Sequence, residues 1–507
     1  MNAGSLVELS AIDLVKGFAS GAFTPSDLVE ACLARIADVG PAVNALTVVD
    51  AQRGRAEAAA ATKRWREGKP LGPLDGLPIG VKDLQDAEGL LTTHGSPRFR
   101  SNVAQADLLM VARLRAAGAI VLAKTNVPEF GAGGNSRNPV WGATGNPFDP
   151  QRLAGGSSGG SAAALAVDLL PLCTGSDTGG SLRLPAALCG VVGYRPSADV
   201  VAHPARPLGW STISVLGPMA RDMGDLVMML NVIQGHDPDD PLSAPSAPDR
   251  FARISPAALS GLRVGYSEDF GGAAVDPGIR EVFRRRVAAI APHVAECRPL
   301  DMNLGDMDRA FDILRAESFL AAFDKVFAEA PETFGPHIAA NVELGRGMSL
   351  ADRAWAHLEQ TRILRAFNAR MREVDIVLMP TVPVSPFPWS EHYPAQIDGR
   401  TMDIYYRWLS LTYRGSLSGG PALTLPAGLD GEGMPFGLQV LGRVRGDEDL
   451  LAAGFALEAL LARDPETARP RPDLDRLRTA RADLTSIVTH PADGTGTRPA
   501  AAAATAV

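Results

Sequence analysis

Residues 155–166 read GGSSGGSAAALA, and residues 176–185 read SDTGGSLRLP. The two Gly-Gly-Ser turns admit three readings: they cradle a phosphate, they are flexible filler, or they hold serines where chemistry happens. A phosphate loop needs GxxxxGK[ST], and no lysine follows either turn; a dinucleotide site needs GxGxxG after a strand, and neither segment fits. Gly/Ser linkers are poor in apolar residues. Here the turns lead into SAAALAVDLL and LRLPAALCGVVG, which have the composition of packed elements.

Gly155-Gly156-Ser157-Ser158-Gly159 also satisfies G-x-S-x-G, the nucleophile elbow of α/β-hydrolases. That elbow follows a strand directly, whereas NPFDPQRLA before Gly155 is loop-like. The histidine it requires should come late. His337, His357, His392 and His490 are the later histidines, and none has an obvious loop context beside a strand end. Without histidine, a serine nucleophile needs another base. A neutral lysine serves if burial or a nearby positive charge lowers its pKa. Of six lysines among 49 basic residues, Lys82 fits best, because it ends the apolar run LPIGV. No lysine has serine three residues before it, so the S-x-x-K arrangement is absent and any Ser–Lys pair must form across the fold.

The rest of the chain bounds the possibilities. With 507 residues it is long enough for roughly two to four ordinary domains, or one large α/β domain with insertions. A net charge of −8 without a long basic run argues against a nucleic-acid partner. Cys32, Cys173, Cys189 and Cys297 are scattered, with no CxxC, and read as free thiols in a reducing cytoplasm. The N-terminus lacks the pattern of a signal peptide, and no apolar run approaches the ~20 residues of a membrane span. Neither a membrane nor a metal is expected.

Periodicity predicts a helix capped by Thr24 with Pro25 at its first position and running to Gly40. A second helix covers 51–68. A short buried strand falls at GLPIGVKD (76–83), followed by a helix over 107–118 and a strand at 119–124. From about 249 to 374 helical periodicity dominates. Strand signals return at 375–380, 421–428 and 436–442, and a helix at 447–462 closes the pattern. Alternating strands and helices favour an α/β class.

The segments GLPIGVKD (76–83), AKTNVPEFG (123–131), GGSSGGSAAALA (155–166) and SDTGGSLRLPAALCGVVG (176–193) closely resemble the amidase signature family. GPMAR (217–221), PALTLPAG (421–428) and GLQVLG (437–442) match its later landmarks, in the family's order over roughly residues 20–460. The resemblance implies an α/β fold with a single large mixed β-sheet of about eleven strands, covered by helices on both faces. Taken with the periodicity, it divides the chain into an N-terminal helical segment over 1–60 and an amidase signature domain over 61–463 with a helical insert at about 249–374; the Pro-, Arg-, Thr- and Ala-rich tail over 464–507 is expected by its composition to be disordered over its last twenty or so residues.

The resemblance also implies a Ser–Ser–Lys triad. Lys82 aligns with the catalytic lysine, Ser157 with a bridging serine preceded by a cis peptide, and Ser181 with the nucleophile. The run Thr178-Gly179-Gly180-Ser181 is expected to present backbone N–H groups as an oxyanion hole. The Gly131 carbonyl is expected to face the leaving amide, with Gly131–Asn135 lining the pocket and Ser157 also touching substrate. Asp177 and Arg183 are expected to pair beside the nucleophile and hold the loop, with direct substrate contact as the alternative, and Ser158 to bond the turn or the lysine. Trp210, Trp408, Tyr405 and Tyr406 are read as core, with an acyl-pocket wall as the alternative. Ser176 stands where threonine is commoner, and Tyr194 where leucine or phenylalanine is; neither is expected to touch the three catalytic positions, and both are expected to tune the packing around them.

The implied activity is hydrolysis of a small-molecule carboxylic acid amide through an acyl-enzyme, with no cofactor. The alternative is a glutaminase like the one within a glutamyl-tRNA amidotransferase. A cytoplasmic location and a homodimer, common in the family, complete the expectations.

Overall fold

The computed structural model describes residues 6–493. Thr24 begins the helix Pro25–Val43 through a reciprocal cap. Its Oγ1 accepts from Asp27 N at 3.2 Å, and Asp27 Oδ2 accepts from Thr24 N at 2.8 Å. The helix continues through Pro41, past the expected end at Gly40, and stops at Asn44, whose left-handed backbone turns the chain.

Eleven strands form one mixed sheet. In chain order they are β1 (Leu46–Val49), β2 (Pro78–Lys82), β3 (Ile120–Thr125), β4 (Leu172–Asp177), β5 (Val192–Arg195), β6 (Val215–Ala220), β7 (Arg263–Tyr266), β8 (Glu296–Pro299), β9 (Ile376–Pro380), β10 (Ala422–Leu429) and β11 (Pro435–Leu441). Their spatial order is β1-β3-β2-β4-β6-β5-β10-β11-β9-β7-β8. Strands β3, β2 and β4 run parallel, as do β9, β7 and β8. Strands β2, β3 and β6 are buried at every position because helices cover both faces, so they read as continuous apolar runs rather than alternating ones.

The stretch 249–374 differs from its helical expectation. It holds the long helices Pro277–Ile290, Met307–Glu329 and Leu350–Met371, but it also supplies β7 and β8 at one edge of the sheet. Each of these strands is only four residues long, too short for a period-two pattern to stand out.

Towards the C-terminus, the helix Leu474–Thr479 buries Leu477, and Leu484 is buried beyond it. Thr489 N and His490 N both donate to Pro139 O at 3.0 Å. The disorder expected of the last twenty or so residues otherwise lies outside the described residues. No helix among those described is long and apolar enough to cross a membrane. All four cysteines are free thiols.

Candidate active site

Strands β2 and β4 are parallel neighbours, with Gly80 opposite Cys173, so their carboxyl ends lie side by side. This is where open α/β sheets place their ligand sites. Lys82 ends β2, and Asp177 ends β4. The Lys82 N–H donates to Thr174 Oγ1 at 2.9 Å and locks the two strands in register. The Lys82 side chain has no exposed surface. Its Nζ donates to Ser157 Oγ at 2.8 Å and to Ser176 Oγ at 2.9 Å. Burial lowers its pKa to about 7, against the opposing pull of the Asp177 charge.

The first glycine turn carries Ser157, and the Gly156–Ser157 peptide is cis, as the resemblance implies. Ser136 braces this turn. Its N–H donates to Gly155 O at 3.0 Å, and its Oγ accepts from Gly159 N at 3.0 Å while donating to Ser157 O at 3.4 Å. The helix Gly159–Ala166 that follows is buried at every residue. At Gly160, a Cβ would stand 2.2 Å from Asn126 N and 2.5 Å from Ala45 O, so only glycine permits the close approach. Ser158 N donates to Ser181 O at 3.3 Å and ties the two turns together. Ser158 Oγ, expected to bond the turn or the lysine, is buried with no partner among the described residues. Ser176 takes that place on the lysine, so its effect is not confined to packing.

The second turn is organised by Asp177, which is fully buried. Arg183 donates to it through Nη2 at 2.8 Å and Nε at 3.0 Å, and Arg195 Nη1 adds a contact at 3.2 Å. Burial pushes the carboxyl up, but the Arg183 and Arg195 guanidiniums outweigh it and hold Asp177 well below the usual carboxylate range. Asp177 also accepts from Gly180 N at 2.9 Å and Leu182 N at 3.2 Å. The Gly180 N–H is therefore committed to the carboxylate, which corrects the expectation that it faces an oxyanion. Among the described residues, no acceptor takes the N–H of Thr178, Gly179 or Ser181. Gly180 has φ +130°, and a Cβ there would stand 2.2 Å from Thr412 Oγ1. Thr412 Oγ1 itself donates to Gly179 O at 2.6 Å.

Ser157, Ser176, Thr178, Ser181 and Gly131 open onto one cavity of about 390 Å³, and Lys82 lies behind Ser157 rather than on its wall. A Cβ on Gly131 would lie 3.3 Å from Ser157 Oγ. The Gly131 carbonyl accepts from Gly133 N at 3.1 Å. Of the stretch 131–135, Gly131 alone lines this cavity; Ala132 and Asn135 line a separate one of about 170 Å³. Phe130, Phe319 and Phe323 form an apolar wall. The aromatic residues named from sequence do not line it. Trp210 is 79% exposed, while Trp408, Tyr405 and Tyr406 are buried in the core. Among the described residues, no group of three or more His, Cys, Asp or Glu could hold a metal ion.

Ser136 and Thr412 escaped sequence reasoning, and so did the hold of Ser176 on Lys82. A lone hydroxyl carries no periodic or spacing signal, and its partner is far away in the chain.

Comparison with known proteins agrees with this geometry. The family model described as "Amidase" matches residues 27–451. The chain is 33% identical to a component of the glutamyl-tRNA(Gln) amidotransferase of Chloroflexus aurantiacus, across 89% of this chain and 96% of that protein. It is 32% identical to an acylamidase of Rhodococcus erythropolis, across 89% and 95%. A solved bacterial aryl acylamidase of the amidase signature family superposes with a TM-score of 0.84 at 27% identity, covering 94% of this chain and 99% of that one. With the family's motifs brought to one cavity and its model matched over most of the sequence, the chain belongs to the amidase signature family, hydrolases that act on carbon–nitrogen bonds.

Proposed function

We propose that this chain hydrolyses a carboxylic acid amide to the acid and ammonia or an amine, with Ser181 as nucleophile, Ser157 as proton carrier and Lys82 as base. The observation that carries the reading is the fully buried Lys82 amine, 2.8 Å from Ser157 Oγ and with its pKa lowered to about 7. A neutral amine has two N–H groups and one lone pair. Ser176 can accept one N–H, which leaves the lone pair free to turn towards Ser157.

In acylation, the Ser181 oxygen bonds the amide carbon while its proton passes through Ser157 to Lys82. The C–N bond then breaks, and the proton returns along the same path to the leaving nitrogen. In deacylation, water adds to the acyl carbon by the same relay and the acid departs. The negative oxygen of each tetrahedral intermediate would meet the N–H groups of Thr178, Gly179 and Ser181.

A second reading, a glutaminase of the amidotransferase type, is favoured by the similarity to the amidotransferase component. The phenylalanine wall favours a substrate with a longer apolar segment than glutamine offers. The test is a panel of aliphatic amides, anilides and L-glutamine, assayed for acid and for ammonia or amine. Wild type is compared with Lys82→Ala and Ser181→Ala. Turnover of apolar amides, lost by about 10³-fold or more in both variants, is expected. Turnover of glutamine alone, together with co-purification of a tRNA-binding partner, favours the second reading. Undiminished turnover in Ser181→Ala rules out both.

A further inference from the structure

Two arginines face the cavity with hydrogen-bonding capacity left over. Arg315, on the helix Met307–Glu329, is 7% exposed. Its Nη2 donates to Tyr405 Oη at 2.5 Å, and its guanidinium lies 4.8 Å from the Phe319 ring centroid and 5.0 Å from that of Tyr406. Its Nε is buried without an acceptor, and among the described residues no carboxylate lies within ion-pair reach. Arg206, also 7% exposed, donates through Nη1 to Ser211 O at 3.0 Å and Gly209 O at 3.3 Å. Its Nε and Nη2 have no hydrogen-bond acceptor; Nη2 forms a buried ion pair at 3.7 Å with Asp240 Oδ2, an oxygen that also accepts from His203 N.

Arg183, beside the nucleophile, shows what a satisfied arginine looks like here. Its Nε, Nη1 and Nη2 make five hydrogen bonds, matching its five N–H groups. A buried guanidinium short of partners is costly unless something else supplies them. Asp240 offsets the charge of Arg206, but among the described residues no carboxylate pairs with Arg315. Asp86 is the sole carboxyl on the lining, and burial raises its pKa, with Lys124 opposing. His94 and His203 are held near pKa 4 by burial, so both are neutral around pH 7.

We propose that this cavity takes an amide that also bears a carboxylate. Arg315 and Arg206 recognise the carboxylate, and the wall of Phe130, Phe319 and Phe323 holds the apolar link between it and the amide. A carboxylate accepts N–H groups in the fork geometry that arginine presents. A substrate carrying an ammonium group instead would face the guanidinium of Arg315, which no carboxylate offsets. The proposal rests on the amidase reading for its choice of amides, but it makes a separate claim about charge.

The test separates binding from turnover. Ser181→Ala protein is titrated calorimetrically with the monoamides of succinic, adipic and suberic acids and with butanamide, hexanamide, octanamide and 6-aminohexanamide. A second pair, 4-acetamidobenzoate and acetanilide, places the charge on the amine half. In at least one length or half, the carboxylate partner is expected to bind about tenfold or more tighter than its neutral match, the size of a hydrogen bond to a charged group. The aminoamide is expected to bind weakest. Arg315→Gln and Arg206→Gln should each shrink the gap, and Arg315→Lys should restore part of it. Equal binding of every matched pair, or a gap untouched by both glutamine variants, overturns the proposal. Wild-type turnover of the same compounds reads the triad independently. Charge preference without hydrolysis sinks the triad and keeps this inference; hydrolysis without charge preference does the reverse.

Discussion

Arg183 grips both oxygens of Asp177, Nη2 to Oδ1 at 2.8 Å and Nε to Oδ2 at 3.0 Å, with neither side chain exposed to solvent. The pair fixes the backbone of the second glycine turn, because the same carboxylate also holds Gly180 N and Leu182 N. Removing Arg183 leaves a buried charge with Arg195 as its remaining charged partner. Arg183→Met is expected to destabilise the protein by about 3–5 kcal/mol in chemical denaturation. Adding Asp177→Asn should recover part of that loss, since no charge is then stranded. A single variant as stable as wild type would refute the account.

The lowered pKa of Lys82 has a direction that can be checked. Burial disfavours the ammonium, so the folded lysine gains its proton only as pH falls through about 7. The ammonium cannot accept a proton, so kcat/KM should rise with pH and level off above about 7. Lys82→Arg, permanently charged, should be inactive across the range. A profile flat down to about pH 5 would exclude lysine as the base.

Ser176 and Ser158 make a contrasting pair. Ser176 Oγ holds the Lys82 amine at 2.9 Å, whereas Ser158 Oγ is buried without a partner. Ser176→Ala should lower kcat by roughly tenfold with little change in KM, the size of one lost orienting hydrogen bond, and Ser176→Thr should restore it. Ser158→Ala should leave the protein at least as stable as wild type, because no hydrogen bond is broken and a buried hydroxyl without a partner is removed. Steady-state kinetics and thermal melts on the same three proteins test both statements.

Gly160→Ala introduces a methyl group 2.2 Å from a backbone nitrogen, where no flexible side-chain tip can yield. A loss of about 3 kcal/mol or more, or failure to fold, is expected. Gly21→Ala serves as a control. Its Cβ would meet nothing within 4 Å, and its φ of +71° leaves only a backbone penalty of about 1–2 kcal/mol.

Much of the site is legible in the sequence. The two Gly-Gly-Ser turns stand out because a glycine-rich turn set between packed apolar elements is a local pattern, and the resemblance to the amidase signature family picks Ser157 and Ser181 out of them. Lys82 stands out because a lysine closing a buried strand is conspicuous in a chain with six lysines. The central strands are legible for a similar reason: burial on both faces writes itself as an unbroken apolar run. The edge strands β7 and β8 are not, since four residues at the rim of a sheet carry too little pattern to outweigh the helices around them.

Sequence alone determined the α/β class, through periodicity, and the order of the motifs, whose resemblance to the amidase signature family singled out the three triad candidates. Turn chemistry and periodicity act between near neighbours in the chain, which is why the motifs are legible there. Tertiary structure decided the charge state of Lys82, the commitment of the Gly180 N–H to Asp177, the role of Ser176 and the unspent donors of Arg206 and Arg315. Each of these depends on how much water is excluded from a group and on which distant segment is packed against it. Desolvation and long-range hydrogen bonding are set by the closed core, and no local stretch of sequence encodes them.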